Sequence, residues 1–254
     1  MAAGRPIFGL LALFFTAGAI LLMFLTFLGG ANNHRPLNEI YFLQVNTSNI
    51  LGASAVSRWT FWNVCRVDNH GKSHCGTSHP TFPFDPPDSR NFNTTVNIPH
   101  QFIGTSHYWY MSRFMFPFEI IALFFAVCAL FLGLLAPCTR IGSYLSASMS
   151  WLAWVFQVIT TCLMTACYVQ GRDHFNSNGQ HAKLGPKAFG FMWTAVFLLT
   201  LSAFLYCIGG ITGRSDAGYS GREERRRGFF APKRSASARS IGSTANANGR
   251  KEYA

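Results

Sequence analysis

Ile7–Leu28, IFGLLALFFTAGAILLMFLTFL, is a run without a single charge, and its reading decides the fold. A helix rises about 1.5 Å per residue and the hydrocarbon core of a bilayer is about 30 Å thick, so about 20 apolar residues cross it. Three further runs reach that length: Phe116–Ala136, Leu145–Val169 and Ala188–Ile211. Glu119 is the only formal charge in any of the four. The expected fold class is an all-α membrane protein, a bundle of four transmembrane helices. Spans at 7–28, 116–136, 145–169 and 188–211 leave an N-terminus at 1–6, a long first loop at 29–115, short loops at 137–144 and 170–187, and a tail at 212–254.

Composition agrees. The 254 residues are 49% hydrophobic and 12% charged, about half the charged share of a soluble domain. Many of the 25 Phe fall in the spans, as at Phe14, Phe15, Phe124, Phe125 and Phe131, where contact with lipid accounts for them. The first run exceeds the 7–15-residue core of a signal peptide and only Arg5 precedes it, so it reads as an uncleaved span. Cleavage near Gly29–Ala31 would leave three spans.

Orientation follows from Lys and Arg near the membrane. Arg5, Arg140, Arg214, Arg222, Arg225, Arg226 and Arg227 lie on one side, against Arg172, Lys183 and Lys187 on the other. Both termini are therefore expected in the cytoplasm, with 29–115 and 170–187 outside. The sequons at Asn46 and Asn93 fall in the first loop and agree. Cys65 and Cys75 fall there too, and a pair isolated in an oxidising compartment reads as a disulfide.

A loop as long as 29–115 carries structure of its own. Val56–Val67 is rich in strand-favouring residues, Thr81–Asp88 is a turn-rich breaker, and a second strand-like piece runs near Phe92–Ile98. A small disulfide-pinned antiparallel sheet is expected on the outer helix ends. Tyr108, Trp109 and Tyr110 fit an interfacial aromatic belt leading into the second span.

The sharpest motif is Trp59-Thr60-Phe61-Trp62-Asn63-Val64-Cys65, followed by Cys75. The short disulfide loop pins two strands, with Trp62 expected to cover it from water. The spacing of Trp62, Cys65 and Cys75 in the first outer loop of a four-span chain resembles the claudin pattern. The surroundings, Arg58 to Cys65, resemble more closely the fungal Sur-seven/PalI family, as do the long first loop and the basic, Ser-rich tail. The resemblance covers about residues 5 to 212. It implies a plasma-membrane protein of eisosome-type furrow domains, with roles in membrane and cell-wall organisation and endocytosis. The PalI branch implies assistance to ambient-pH sensing instead. Thr60-Phe61 replaces the Gly-Leu usual before the second Trp of claudins, which tells against a junction role.

Other features weigh as follows. Gln157 reads as an interhelical hydrogen-bond donor. Ala12 and Thr16, Ser146 and Ser150, and Gly209 and Gly213 recur at a spacing that lets helix backbones approach. Glu119 lies near a span end, in reach of the interface or of Arg113. His70, His74 and Cys75, with His79 close by, suggest zinc, but a structural site needs four tightly spaced ligands and Cys75 in a disulfide leaves three His, so a solvated polar loop is the reading, a pH-sensitive loop the alternative, with no metal and no cofactor. The tail holds ten Lys or Arg against four acids and is expected to be disordered. Its run Arg225, Arg226, Arg227, Phe229, Phe230, Lys233 and Arg234 suits anionic inner-leaflet lipid rather than nucleic acid. Phosphorylation of Ser235, Ser237 or Ser240 would weaken that contact. Cys138 and Cys207 lie near the cytoplasmic boundary as palmitoylation candidates. The leading expectation is a non-enzymatic organiser that self-associates and meets eisosome scaffold proteins. An accessory role in pH sensing comes second and a channel or transporter third, because the spans lack the midplane polar features of transport.

Overall fold

The computed structural model describes residues 4–136 and 139–212. Four helices, α1 (Gly4–Phe27), α2 (His107–Leu135), α3 (Arg140–Ser177) and α4 (Pro186–Thr212), account for most of them. All four are long and apolar enough to cross a membrane. Their outward faces carry Phe14, Phe124, Phe131 and Phe197, each 61–69% exposed, a surface that only an apolar solvent accommodates without penalty.

The inward faces are built from small residues. Ala122, Ala126 and Ala129 of α2 are fully buried, as are Ala19 of α1, Ala153 of α3 and Ala195 of α4. Lipid tails remove the hydrophobic drive between helices, so close backbone approach and dispersion hold such a bundle together. Ala12, Thr16, Ser146 and Ser150 are all buried, as their spacing predicts, and Gly209 is buried as well, while Gly213 lies outside the described residues. Helix α1 packs chiefly on α4, and α2 on α3.

The helices outrun the apolar runs. Helix α2 starts at His107 rather than 116, and α3 covers Arg140–Ser177 rather than 145–169. At 1.5 Å per residue, α3 is about 57 Å long, nearly twice the hydrocarbon thickness. Hydropathy sees only the part in lipid; beyond it the helices continue because Tyr108, Met115 and Phe175 bury in a protein core. Tyr108 is thus a core residue and not part of an interfacial belt, and Pro117 falls inside α2. Thr139 shortens the α2–α3 connection by capping α3, its Oγ1 accepting from Gly142 N at 3.1 Å.

Five short strands follow: β1 (Leu43–Asn46), β2 (Val56–Trp59), β3 (Val64–Val67), β4 (Ser73–His74) and β5 (Ala182–Leu184). They form one antiparallel sheet in the order β4-β3-β2-β1-β5. Val56–Val67 is a hairpin rather than one strand, closed where Thr60 N donates to Asn63 O at 3.1 Å. The stretch 92–98 is not a strand. Asn93 and Asn97 have φ of 52° and 61°, a left-handed conformation that breaks extended backbone and that Asn tolerates better than most residues. Strand β5, between α3 and α4, joins β1 with Leu43 opposite Leu184. The connections 29–115 and 170–187 therefore lie at the same end of the bundle.

Candidate functional site: a disulfide-pinned sheet on the helix ends

Alternation along β2 turns Ser57 and Trp59 inward and leaves Val56 and Arg58 on the other face. Trp59 is only 1% exposed and its indole N–H donates to Asn91 Oδ1 at 3.0 Å. Its ring meets Phe84 and Phe92 edge-on, with centroids 5.4 and 5.7 Å away, and lies tilted on Phe175 of α3. Edge-to-face pairs add about 0.5–1.5 kcal/mol each beyond their burial. Trp59 thus sits where sheet, loop and α3 meet.

Trp62 turns to the helix ends. Its Nε1 donates to the carbonyl of Phe27 at 2.6 Å, and its ring packs edge-on against Phe27 and Phe116. Phe27 ends α1, where carbonyls lack intrahelical partners, and an indole N–H aimed there gains a hydrogen bond while its ring joins the aromatic cluster. Trp62 therefore clamps the β2–β3 turn onto α1 and α2.

Cys65 of β3 and Cys75 form the expected disulfide. Register pairs Arg66 with His74 and Val67 with Ser73, so the bond joins the next opposed positions. Asn33 extends that edge: Cys75 N donates to Asn33 Oδ1 at 2.8 Å, and Asn33 Nδ2 donates to Cys75 O at 3.2 Å. Nothing in the sequence around Asn33 signals this role.

A groove of about 250 Å³ opens beside β2. Arg58 forms one wall, its guanidinium 4.3 Å from the Tyr41 ring centroid. Arg58 Nε donates to Gln44 Oε1 at 2.8 Å, and Nη1 donates to Ser73 Oγ at 2.8 Å and Gly71 O at 3.1 Å. Glu39 on the opposite wall pairs with Arg35 at 3.1 Å and with Lys187. The Lys187 ammonium, hydrogen-bonded to it, holds Glu39 below the usual carboxylate range.

The histidine-rich turn is organised by Asp68. Its Oδ1 accepts from the backbone N–H of Lys72 and His70, and its Oδ2 meets His74 Nε2 at 3.1 Å. The Lys72 N–H bond is the main reason its carboxyl is held low. Among the described residues no three His, Cys, Asp or Glu side chains stand together as metal ligands.

Glu119 is fully buried, with the Gln157 side chain of α3 as its hydrogen-bonding neighbour. Arg113 does not reach it; its guanidinium lies over the Trp109 ring at 4.4 Å. Helix α2 extends well past Glu119, which places the carboxyl inside the bundle. Gln157 Nε2 reaches Met192 Sδ at 3.5 Å, an interhelical contact from α3 to α4.

Asn46 and Asn93 are exposed. Cys207 is half-buried beside the Ala12, Ala136, Ala147 and Tyr206 cluster. Cys138, Arg225, Arg226, Arg227, Phe229, Phe230, Lys233, Arg234, Ser235, Ser237 and Ser240 lie outside the described residues. Gly185 escaped the sequence reading. A Cβ there would overlap the Tyr41 carbonyl, and only the Gly-Pro dipeptide at the start of α4 hints at a special backbone position.

The family model described as SUR7/PalI family matches residues 8–205. The chain is 36% identical over 214 residues to the SUR7 family protein FMP45 of Saccharomyces cerevisiae, covering 83% of this chain and 69% of that protein. It is 34% identical over 213 residues to Protein SUR7 of the same yeast, covering 83% and 70%. A third yeast relative, named as the uncharacterized plasma membrane protein YNL194C, is 34% identical over 195 residues, covering 75% and 64%.

Proposed function

Because the chain belongs to the SUR7/PalI family, a family of membrane proteins with a relative named for the plasma membrane, we propose that it is a non-enzymatic organiser of that membrane, clustering in eisosome-type domains and supporting membrane and cell-wall organisation and endocytosis. The observation that carries the reading is the clamp between sheet and bundle. Trp59 and Trp62 bind the sheet to three helices through buried aromatic contacts, so partners that meet the sheet act directly on the helices in lipid. The termini lie in the cytoplasm and the sheet faces outside, where Asn46 and Asn93 are open to glycosylation. The run from Arg225 to Arg234, with Phe229 and Phe230 among the headgroups, engages anionic inner-leaflet lipid at about 1 kcal/mol per basic residue. Phosphate on Ser235, Ser237 or Ser240 loosens it, and acyl chains on Cys138 and Cys207 strengthen it. Eisosome scaffold proteins and further copies of the chain are the partners. Relatives named for SUR7 favour this role over pH sensing.

The test is imaging of the tagged chain in living fungal cells beside a furrow-forming scaffold. Stable plasma-membrane patches coincident with the scaffold are expected. A diffuse or endosomal pattern overturns the reading.

A further inference from the structure

The groove beside β2 has no part in the organiser reading, and its chemistry is specific. Arg35, Arg58, Lys72 and Lys187 line it against one acid, Glu39. Glu39 already holds Arg35 and Lys187, while the Lys72 ammonium pairs with no acid among the described residues. Arg58 is locked by Gln44, Gly71, Ser73 and the Tyr41 ring, all through Nε, Nη1 and the guanidinium face, which leaves Nη2 as a donor without a partner among the described residues. A guanidinium fixed in this way loses little entropy on meeting an oxyanion.

The groove also abuts Pro186 and Lys187 at the N-terminus of α4, whose first turn carries no acid, so the positive end of the helix macrodipole adds to the field.

Depth selects the source of the anion. The candidate span of α4 runs 26 residues from Pro186, about 39 Å at 1.5 Å per residue, against about 30 Å of hydrocarbon. That leaves about 9 Å of α4 beyond the hydrocarbon, and the charge of Lys187 suits its sheet-side end to the headgroup layer. About 250 Å³ falls below the roughly 300 Å³ at which pockets for whole drug-sized molecules begin, so the groove suits a headgroup whose tails stay in the bilayer. We propose that the groove between Arg58, Lys72 and Lys187 binds the phosphate of a lipid headgroup in the leaflet on the sheet side, so that the sheet is held to its own membrane by a bound lipid.

The test uses the purified full chain in nanodiscs of phosphatidylcholine doped with phosphatidylinositol, and reads retained lipid by native mass spectrometry. K72Q/K187Q is expected to lower retained phosphatidylinositol at least tenfold, and K72E alone to lower it several-fold. R225Q/R226Q/R227Q is expected to leave this lipid in place, which separates the groove from the tail. Disulfide formation and thermal unfolding confirm that each variant is folded. Equal retention by the wild type and K72Q/K187Q overturns the proposal. Loss only in the tail variant overturns it as well. Displacement of the lipid by millimolar inorganic phosphate, with phosphate then bound alone, assigns the groove to a soluble anion and overturns the lipid source.

Discussion

Asp85 follows Phe84, whose ring is fully buried between Trp59 and Tyr168, and the backbone carries the Asp85 carboxyl into partly dry surroundings. Burial, and after it the charge of Asp88, pushes Asp85 up to about 6. The folded protein then holds this proton more tightly than the unfolded chain does. The resulting stability is complete at low pH and is lost as pH rises from about 4 through about 6. Asp85→Asn removes the dependence. Thermal unfolding is expected to find the variant more stable than wild type near neutral pH, by about 1 kcal/mol once solvent screening of a part-exposed group is allowed for. Below about pH 4 the two should coincide. A wild-type protein that gains on the variant as pH rises would contradict this sign. Trp62 belongs to the same scale: its importance is legible from the motif, but its direction is not, because the helix-terminal Phe27 carbonyl, distant in sequence, decides where the indole points.

Among the elements, the β3–β4 ribbon is the one the chain cannot hold by core packing alone, since β4 has two residues. The disulfide replaces the missing hydrophobic contact by restricting the unfolded chain. Cys65→Ser with Cys75→Ser should cost about 2–3 kcal/mol, the value for so short a loop. Faster amide exchange is expected in Val64–His74, with the helices unaffected. Unchanged exchange there would mean that Asn33 and the strand register suffice. Strand β5 shows the limit of local reading. Ala182-Lys183-Leu184 has little intrinsic strand preference. It is extended because β1 pairs with it and because Asn176 grips its outer edge, accepting from Ala182 N at 2.7 Å and donating to Ala182 O at 3.3 Å. That grip also covers part of an edge that would otherwise invite another strand.

At the scale of the whole molecule, sheet and bundle meet at Gly185. Its N–H donates to Phe42 O at 2.9 Å, and the Tyr41 carbonyl occupies the place of a side chain. Gly185→Ala must push α4 away from the segment leading into β1. Backbone cannot yield as a side-chain tip does, so a loss of at least about 2 kcal/mol is expected. Thermal unfolding measures it, and exchange should rise in Leu43–Asn46 as β5 is displaced. A variant as stable as wild type, with β1 still protected, would show that the joint tolerates separation. Crossing a bilayer depends on local composition, so four apolar runs were enough to determine the number of helices and the membrane class, and a Cys pair isolated in one loop was enough to determine the disulfide. Long-range packing leaves no such local trace. The full lengths of α2 and α3, the recruitment of β5, the burial of Glu119 away from Arg113, and the meeting of Arg35, Arg58, Lys72 and Lys187 in one groove were decided only when the tertiary structure buried side chains from distant segments against one another.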